Sequence, residues 1–215
     1  MQWMLPVGWL MVILWGTASR QRVAFLRLVL ALGLLSAMGL QLLVLHLDNQ
    51  LNLQTGLPLH LCGLFGLVCV PLLWYAPALL FEALMYLGAP AAALALLFPA
   101  PAGSSHPLLT HWAFFQLHAI LALTPLFFLR TGKPLPIRAH RALVLGNGYL
   151  VFVCAFNRMF QSNYLFLQAA PSGTPLALLF SRGSQFYLCS LELLCMLILS
   201  LLIPLYAQSR KYVIM

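Results

Sequence analysis

The sequence predicts an all-α protein: one domain, residues 1–215, built as a polytopic bundle of about seven transmembrane helices, with the N-terminus outside and the C-terminus cytoplasmic. Three observations predict it. Of the 215 residues, 63% are hydrophobic and 7% are charged, whereas a soluble domain carries roughly 25% charged residues. Such a chain has too little polar surface to stay in water. Apolar runs recur along its whole length, each close to the roughly 20 residues that a helix needs to cross a ~30 Å hydrocarbon core. The basic residues fall in alternate gaps between these runs, which is how positive-inside bias records topology.

The first run, 3–18, is short. No Lys or Arg precedes Trp3–Trp15, and Arg20, Arg22 and Arg27 follow it. A secretory signal peptide has the opposite order, so the run is read as a span. The second span covers 23–47. The apolar stretch from Leu57 to Phe98 is too long for one crossing. Pro71 and Pro77 bracket a turn that divides it into 57–75 and 77–98, because proline disfavours a continuous helix there. Spans at 109–129, 141–161 and 184–207 follow. The longest gap, Asn157 to Ser184, mixes amides and Arg158 with Phe160, Tyr164 and Phe166, ahead of Pro171, Gly173 and Pro175. That mixture predicts an amphipathic or re-entrant segment at the outer interface, where aromatic rings anchor. No internal repeat is visible, so a repeat-built transporter gains no support.

Net charge is +8, but its placement argues against nucleic acid as a partner. Nine of the eleven Lys and Arg residues (Arg20, Arg22, Arg27, Arg130, Lys133, Arg138, Arg141, Arg210, Lys211) fall in one set of alternate gaps, and Arg158 and Arg182 in the other. The larger set belongs in the cytoplasm, and opposite termini require an odd number of spans. The five cysteines, Cys62, Cys69, Cys154, Cys189 and Cys195, lie within or beside apolar runs. This is neither a small secreted disulfide scaffold nor a closely spaced metal-type pair. No metal and no cofactor is expected.

Ionisable groups inside spans are costly and point to function. Counted along the spans at about 1.5 Å per residue, Cys62 lies about 5–8 Å below the outer boundary, His118 about 10 Å and Glu192 about 12 Å. Asn157 lies near the outer end of its span. His111 precedes His118 by seven residues and shares its face. Glu82 falls at the inner boundary. A thiol, an imidazole and a carboxylate at one depth fit triad chemistry: the imidazole holds the thiolate and the carboxylate orients the imidazole. Each residue also has a plainer reading, Cys62 as a small buried hydrophobe and Glu192 as a bond to a neighbouring helix. His60, two residues from Cys62, serves the site only if the helix starts irregularly after Pro58. Arg158 and Arg182 are placed to meet a phosphate head group or to snorkel to water.

The stretches LPLHLCGL (57–64), FFQLHAILALTPLF (114–127) and SNYLFLQAAPSGTPLALL (162–179) precede a last span that bears ELL. In this order they resemble the YwaF-like integral membrane family, which is similar to a eukaryotic membrane acyltransferase that moves fatty acyl groups between phospholipids through a cysteine. Members often carry an acidic residue after that cysteine; here it is Gly63. The resemblance implies Cys62 as acyl-accepting nucleophile and His118 as its base. The expected function is therefore a lipid acyltransferase or acyl hydrolase, with Cys62, His118 and Glu192 catalytic. Asn157 or Asn163 would donate to the oxyanion, and Arg158, His111 and His60 would complete the binding site. The expected partner is a phospholipid or other acyl lipid in the outer half of a bacterial cytoplasmic membrane. The alternatives are a non-enzymatic carrier with a polar intramembrane cavity, and an accessory subunit in which the polar groups bond separately to backbone.

Overall fold

A computed structural model of the chain describes residues 3–99, 103–133, 135–136, 138–171 and 173–213. Among the described residues the regular structure is all helical, in eight helices. They are α1 (Met4–Gly16), α2 (Arg20–Leu47), α3 (Leu61–Leu72), α4 (Ala78–Leu97), α5 (Pro107–Arg130), α6 (His140–Phe160), α7 (Pro175–Phe180) and α8 (Ser184–Val213). Five of them, α2, α4, α5, α6 and α8, are long and apolar enough to cross a membrane. The chain is thus a multi-pass membrane protein. Helices α1 and α3 are apolar but only 13 and 12 residues long, and α7 is a six-residue piece inside the long gap.

The expected span 57–75 is therefore a much shorter helix, and proline explains both ends. Pro58 centres a tight turn closed by the Leu59 N–H on the Leu57 carbonyl, 2.8 Å. His60 stays extended (φ −72°, ψ 145°), so α3 begins only at Leu61. Pro71 sits in the last turn of α3, and Pro77, extended at ψ 136°, restarts the chain as α4.

α5 is the central element and packs against α1, α2, α3 and α4, while α6 and α8 lie at the periphery. Small residues permit the close approaches, as is usual between helices in lipid. A Cβ on Gly66 of α3 would stand 2.9 Å from both Leu117 Cδ1 and Met38 Sδ, and one on Gly88 of α4 would stand 2.6 Å from the Phe65 ring. α4 widens into a π-turn at Leu84–Gly88, just before Pro90, which has no N–H to continue the ladder. The Tyr206 hydroxyl donates to the Met85 carbonyl inside that turn at 2.9 Å, and Tyr86 donates to Pro136 O at 2.7 Å.

Contacts between loops sort the connections into two ends. At one end Arg130 Nε donates to Thr17 Oγ1 (2.7 Å) and Lys133 Nζ to the Ala76 carbonyl (3.3 Å). Arg141 meets the buried Glu82 carboxylate there at 3.5 Å. At the other end Ser104 bonds Asp48 (2.6 Å) and Gln54 Nε2 donates to Phe160 O (3.0 Å). The alternate gaps that the charge count separates thus lie at opposite ends of the bundle. The side chains of Arg210 and Lys211, and residues 100–102 of the Pro99–His111 loop, fall outside the described residues.

Candidate active site

The late start of α3 puts Cys62 in its first helical turn. The first intrahelical bond runs from Leu64 N–H to the His60 carbonyl, 2.9 Å. No side chain caps the helix. Among the described residues, the N–H groups of Leu61, Cys62 and Gly63 meet no acceptor. Free amides and the positive end of the helix dipole favour negative charge at this place.

His118 is buried in the middle of α5. Its ring lies on Phe114, centroids 4.2 Å apart, and its Nδ1 donates to the Phe114 carbonyl at 2.6 Å. The carbonyl can only accept, so the proton is on Nδ1 and Nε2 keeps its lone pair. Two contacts fix how α3 lies along α5. Gly66 faces Leu117, and Cys69 Sγ stands 3.9 Å from Thr124 Oγ1. The two helices therefore run parallel. One turn back from Gly66 is Cys62, and one turn back from Leu117 is the Ala113–Phe114 turn, over which the His118 ring leans.

His60 is the residue that precedes α3. Its Nδ1 accepts the Leu165 N–H at 3.3 Å, and its ring is held by Tyr164 and Phe166 at 5.3 and 4.9 Å. It lies within electrostatic range of His118. The irregular helix start that His60 needs is present.

Residues 157–169 form a roof. α6 ends at Gln161, in the left-handed region at φ 52°. Asn157 Oδ1 accepts from Ser162 Oγ (2.8 Å) and Tyr164 N–H (3.0 Å), and its Nδ2 donates to the Tyr164 carbonyl (2.8 Å). Tyr164 hydroxyl accepts from Leu57 N–H and donates to the Leu53 carbonyl, both 3.0 Å, while Tyr149 hydroxyl donates to Leu59 O at 2.9 Å. Leu165 and Phe166 stand at φ 58° and 56°, strained for non-glycine residues. These bonds fasten the roof onto the chain leading into α3. The long gap is thus a short 3₁₀ turn (Tyr164–Phe166) and α7 rather than a crossing.

The remaining expected residues divide. Asn163 Nδ2 donates to Ala169 O (2.8 Å), and its Oδ1 accepts from Gln168 and Ala169 N–H (2.9 and 3.1 Å). Both asparagines are thus engaged in the roof, each giving one amide N–H to a roof carbonyl. Glu192 Oε1 accepts from Asn147 Nδ2 of α6 at 3.4 Å. The bond that orients His118 comes from the Phe114 carbonyl instead. α8 packs at the edge of the bundle, which keeps Glu192 with α6. His111 stacks on Phe115 at 4.4 Å. Exposed Arg158 lines a cavity of about 310 Å³ with Cys154, Gln168 and Ser184, and Arg182 lies over the Phe186 ring at 5.7 Å.

Sequence reasoning missed two features. The roof-holding hydroxyls of Tyr149 and Tyr164 carried no signal beyond aromaticity. The Asp48 clasp had one: Asp48 is one of only three acidic residues in the chain. It accepts from Ser104 at 2.6 Å, from Ser105, and from His106 Nδ1 at 3.2 Å. The Ser104 bond first, then Ser105 and His106, lower its pKa from 3.8 to about 2. A depressed folded-state pKa means that the clasp contributes stability above pH ~4 and loses it as pH falls towards 2. Hydrogen exchange of the 103–106 amides should accelerate on acidification through that window, and Ser104→Ala should move the onset to higher pH. Exchange independent of pH, after correction for the intrinsic rate, would exclude the clasp.

No curated protein and no solved structure matches the chain. A family does: residues 2–203 match the TMEM164 family. That match covers nearly the whole bundle, including α3, α5 and the roof, and on it the chain belongs to the TMEM164 family.

Proposed function

We propose that the protein is a thiol-dependent acyltransferase or acyl hydrolase acting on phospholipids within the outer half of a bacterial cytoplasmic membrane. One observation carries the reading. Cys62 lies in the uncapped first turn of α3, and α3 runs parallel to α5, whose His118 has its Nδ1 already spent and its Nε2 left to act as base. The likeness of its motifs to YwaF-like proteins and to a cysteine-dependent phospholipid acyltransferase supports it.

The chemistry runs as two transfers. His118 Nε2 takes the Cys62 thiol proton and the sulfur attacks the ester carbonyl carbon. The α3 amides face the oxygen as it becomes negative. The ester C–O bond breaks, the leaving lysophospholipid oxygen takes the proton from His118, and Cys62 holds the acyl group as a thioester. A second lysophospholipid hydroxyl, or water, gives its proton to His118 and attacks the thioester. The thiolate leaves and recovers that proton. Arg158, exposed beside its cavity, would hold the phosphate. Glu192 keeps at most an indirect role through Asn147.

Purified protein in detergent, given phosphatidylcholine with a labelled acyl chain and an unlabelled lysophospholipid, should move label to the acceptor or release it as fatty acid. Lipid retained in the protein with no label moved would favour the carrier.

The proposed topology is seven crossings with the N-terminus outside. The nine-to-two division of Lys and Arg between the two ends supports it. Gly103→Cys should react with a membrane-impermeant maleimide from outside. Reaction only after the membrane is opened would reverse the orientation.

A further inference from the structure

We propose that His60 is a third catalytic group of this site, donating its Nε2–H to the acyl carbonyl oxygen as that oxygen turns negative. This rests on the acyl-transfer reading of Cys62 above. The two asparagine amides expected to serve as donors are committed to the roof carbonyls of Tyr164 and Ala169. A site that must stabilise an oxyanion away from water gains most from a further fixed side-chain donor.

His60 supplies one by its tautomer. Leu165 N–H points at Nδ1, so Nδ1 must be the acceptor and the ring carries its single proton on Nε2. His118 has the opposite tautomer, with its proton on Nδ1 and a lone pair on Nε2. The two imidazoles lie within electrostatic range of each other. One is built to take a proton and the other to lend a hydrogen bond. The extended backbone of His60 turns its side chain out of the helical ladder, two residues before the nucleophile. The Tyr164 and Phe166 rings fix its plane. A donor held in place this way costs little reorganisation at the moment of reaction. It also gives the strained Leu165–Phe166 turn a role: it aims the Leu165 N–H at Nδ1 and selects the tautomer. No proton leaves His60 during the cycle.

The test compares His60→Phe, which keeps a flat ring but no donor, with His60→Gln, which restores an N–H. Two rates are read on Cys62: acylation by a labelled phospholipid, and alkylation by iodoacetamide. Alkylation needs the thiolate but develops no oxyanion. His60→Phe should slow acylation by about 10²–10³, with alkylation unchanged and lipid KM little altered. His60→Gln should recover part of the loss. Acylation of His60→Phe near the wild-type rate would overturn the proposal. Loss of acylation and alkylation together would also overturn it, because it would mark His60 as a folding residue. A wild-type protein that never acylates at Cys62 removes the acyl-transfer reading itself, whereas normal acylation in His60→Phe removes only the role of His60.

Discussion

Cys62→Ala should abolish acyl transfer, and His118→Ala should lower it by about 10²–10⁴, the range general-base catalysis supplies. That range corresponds to about 2.7–5.5 kcal/mol of barrier. Cys62→Ser should be nearly as damaging as alanine, because a hydroxyl ionises far less readily than a thiol. The loss should appear in kcat, with KM for the lipid little changed, since neither side chain is needed to seat the acyl chains. Steady-state transfer of a labelled acyl group, measured for each variant in the same detergent, gives both parameters. A His118→Ala protein with wild-type kcat would leave that buried imidazole as a packing residue on Phe114 and return the polar layer to the carrier reading.

Asn157→Leu should open the roof. The substitution keeps the volume and deletes three hydrogen bonds, to Ser162 Oγ, Tyr164 N–H and Tyr164 O. It strands the two Tyr164 backbone groups in a buried place. Each stranded group costs about 1–3 kcal/mol, so a loss of about 2–5 kcal/mol is expected. The Tyr164 hydroxyl would then lose its hold on Leu53 and Leu57, and Cys62 would be uncovered. Thermal unfolding followed with a thiol-reactive dye should show Cys62 reacting well below the global transition, ahead of the core cysteine Cys69. Asn157→Asp should fall between, keeping the two accepted bonds but setting a carboxylate oxygen against the Tyr164 carbonyl. Unchanged Cys62 reactivity in Asn157→Leu would mean that the roof does not depend on this clamp.

Much of the fold was legible in the sequence because a bilayer imposes simple rules. Apolar runs gave seven of the eight helices. The count of arginines and lysines separated the loops that the Arg130–Thr17 and Ser104–Asp48 contacts place at opposite ends. What failed was length at α3, where hydropathy saw a span and the backbone obeyed Pro58 and Pro71. That failure is informative, since the lost turn at the front of α3 creates the uncapped amides at Cys62 and frees His60. Depth along the spans set Cys62, His118 and Glu192 at one level, but depth is silent about azimuth, and Glu192 lies on a peripheral helix facing Asn147. Asn157 and Asn163 were read as site donors because amide N–H groups stabilise developing negative charge. Their carbonyl partners are set by the left-handed turns of the roof, which residue identities alone do not reveal. The Asp48 clasp joins residues 56 or more positions apart, a pairing that no local pattern encodes.

If Cys62 carries the acyl group, the acyl-enzyme can be caught there. Protein incubated briefly with a phospholipid bearing an isotopically labelled acyl chain is quenched in acid, digested and analysed by mass spectrometry. A labelled thioester is expected on the Cys62 peptide, removed by neutral hydroxylamine, absent from the Cys69, Cys154, Cys189 and Cys195 peptides, and greatly reduced in His118→Ala. Label spread over several cysteines regardless of His118, or no acyl adduct on Cys62 while transfer proceeds, would contradict it.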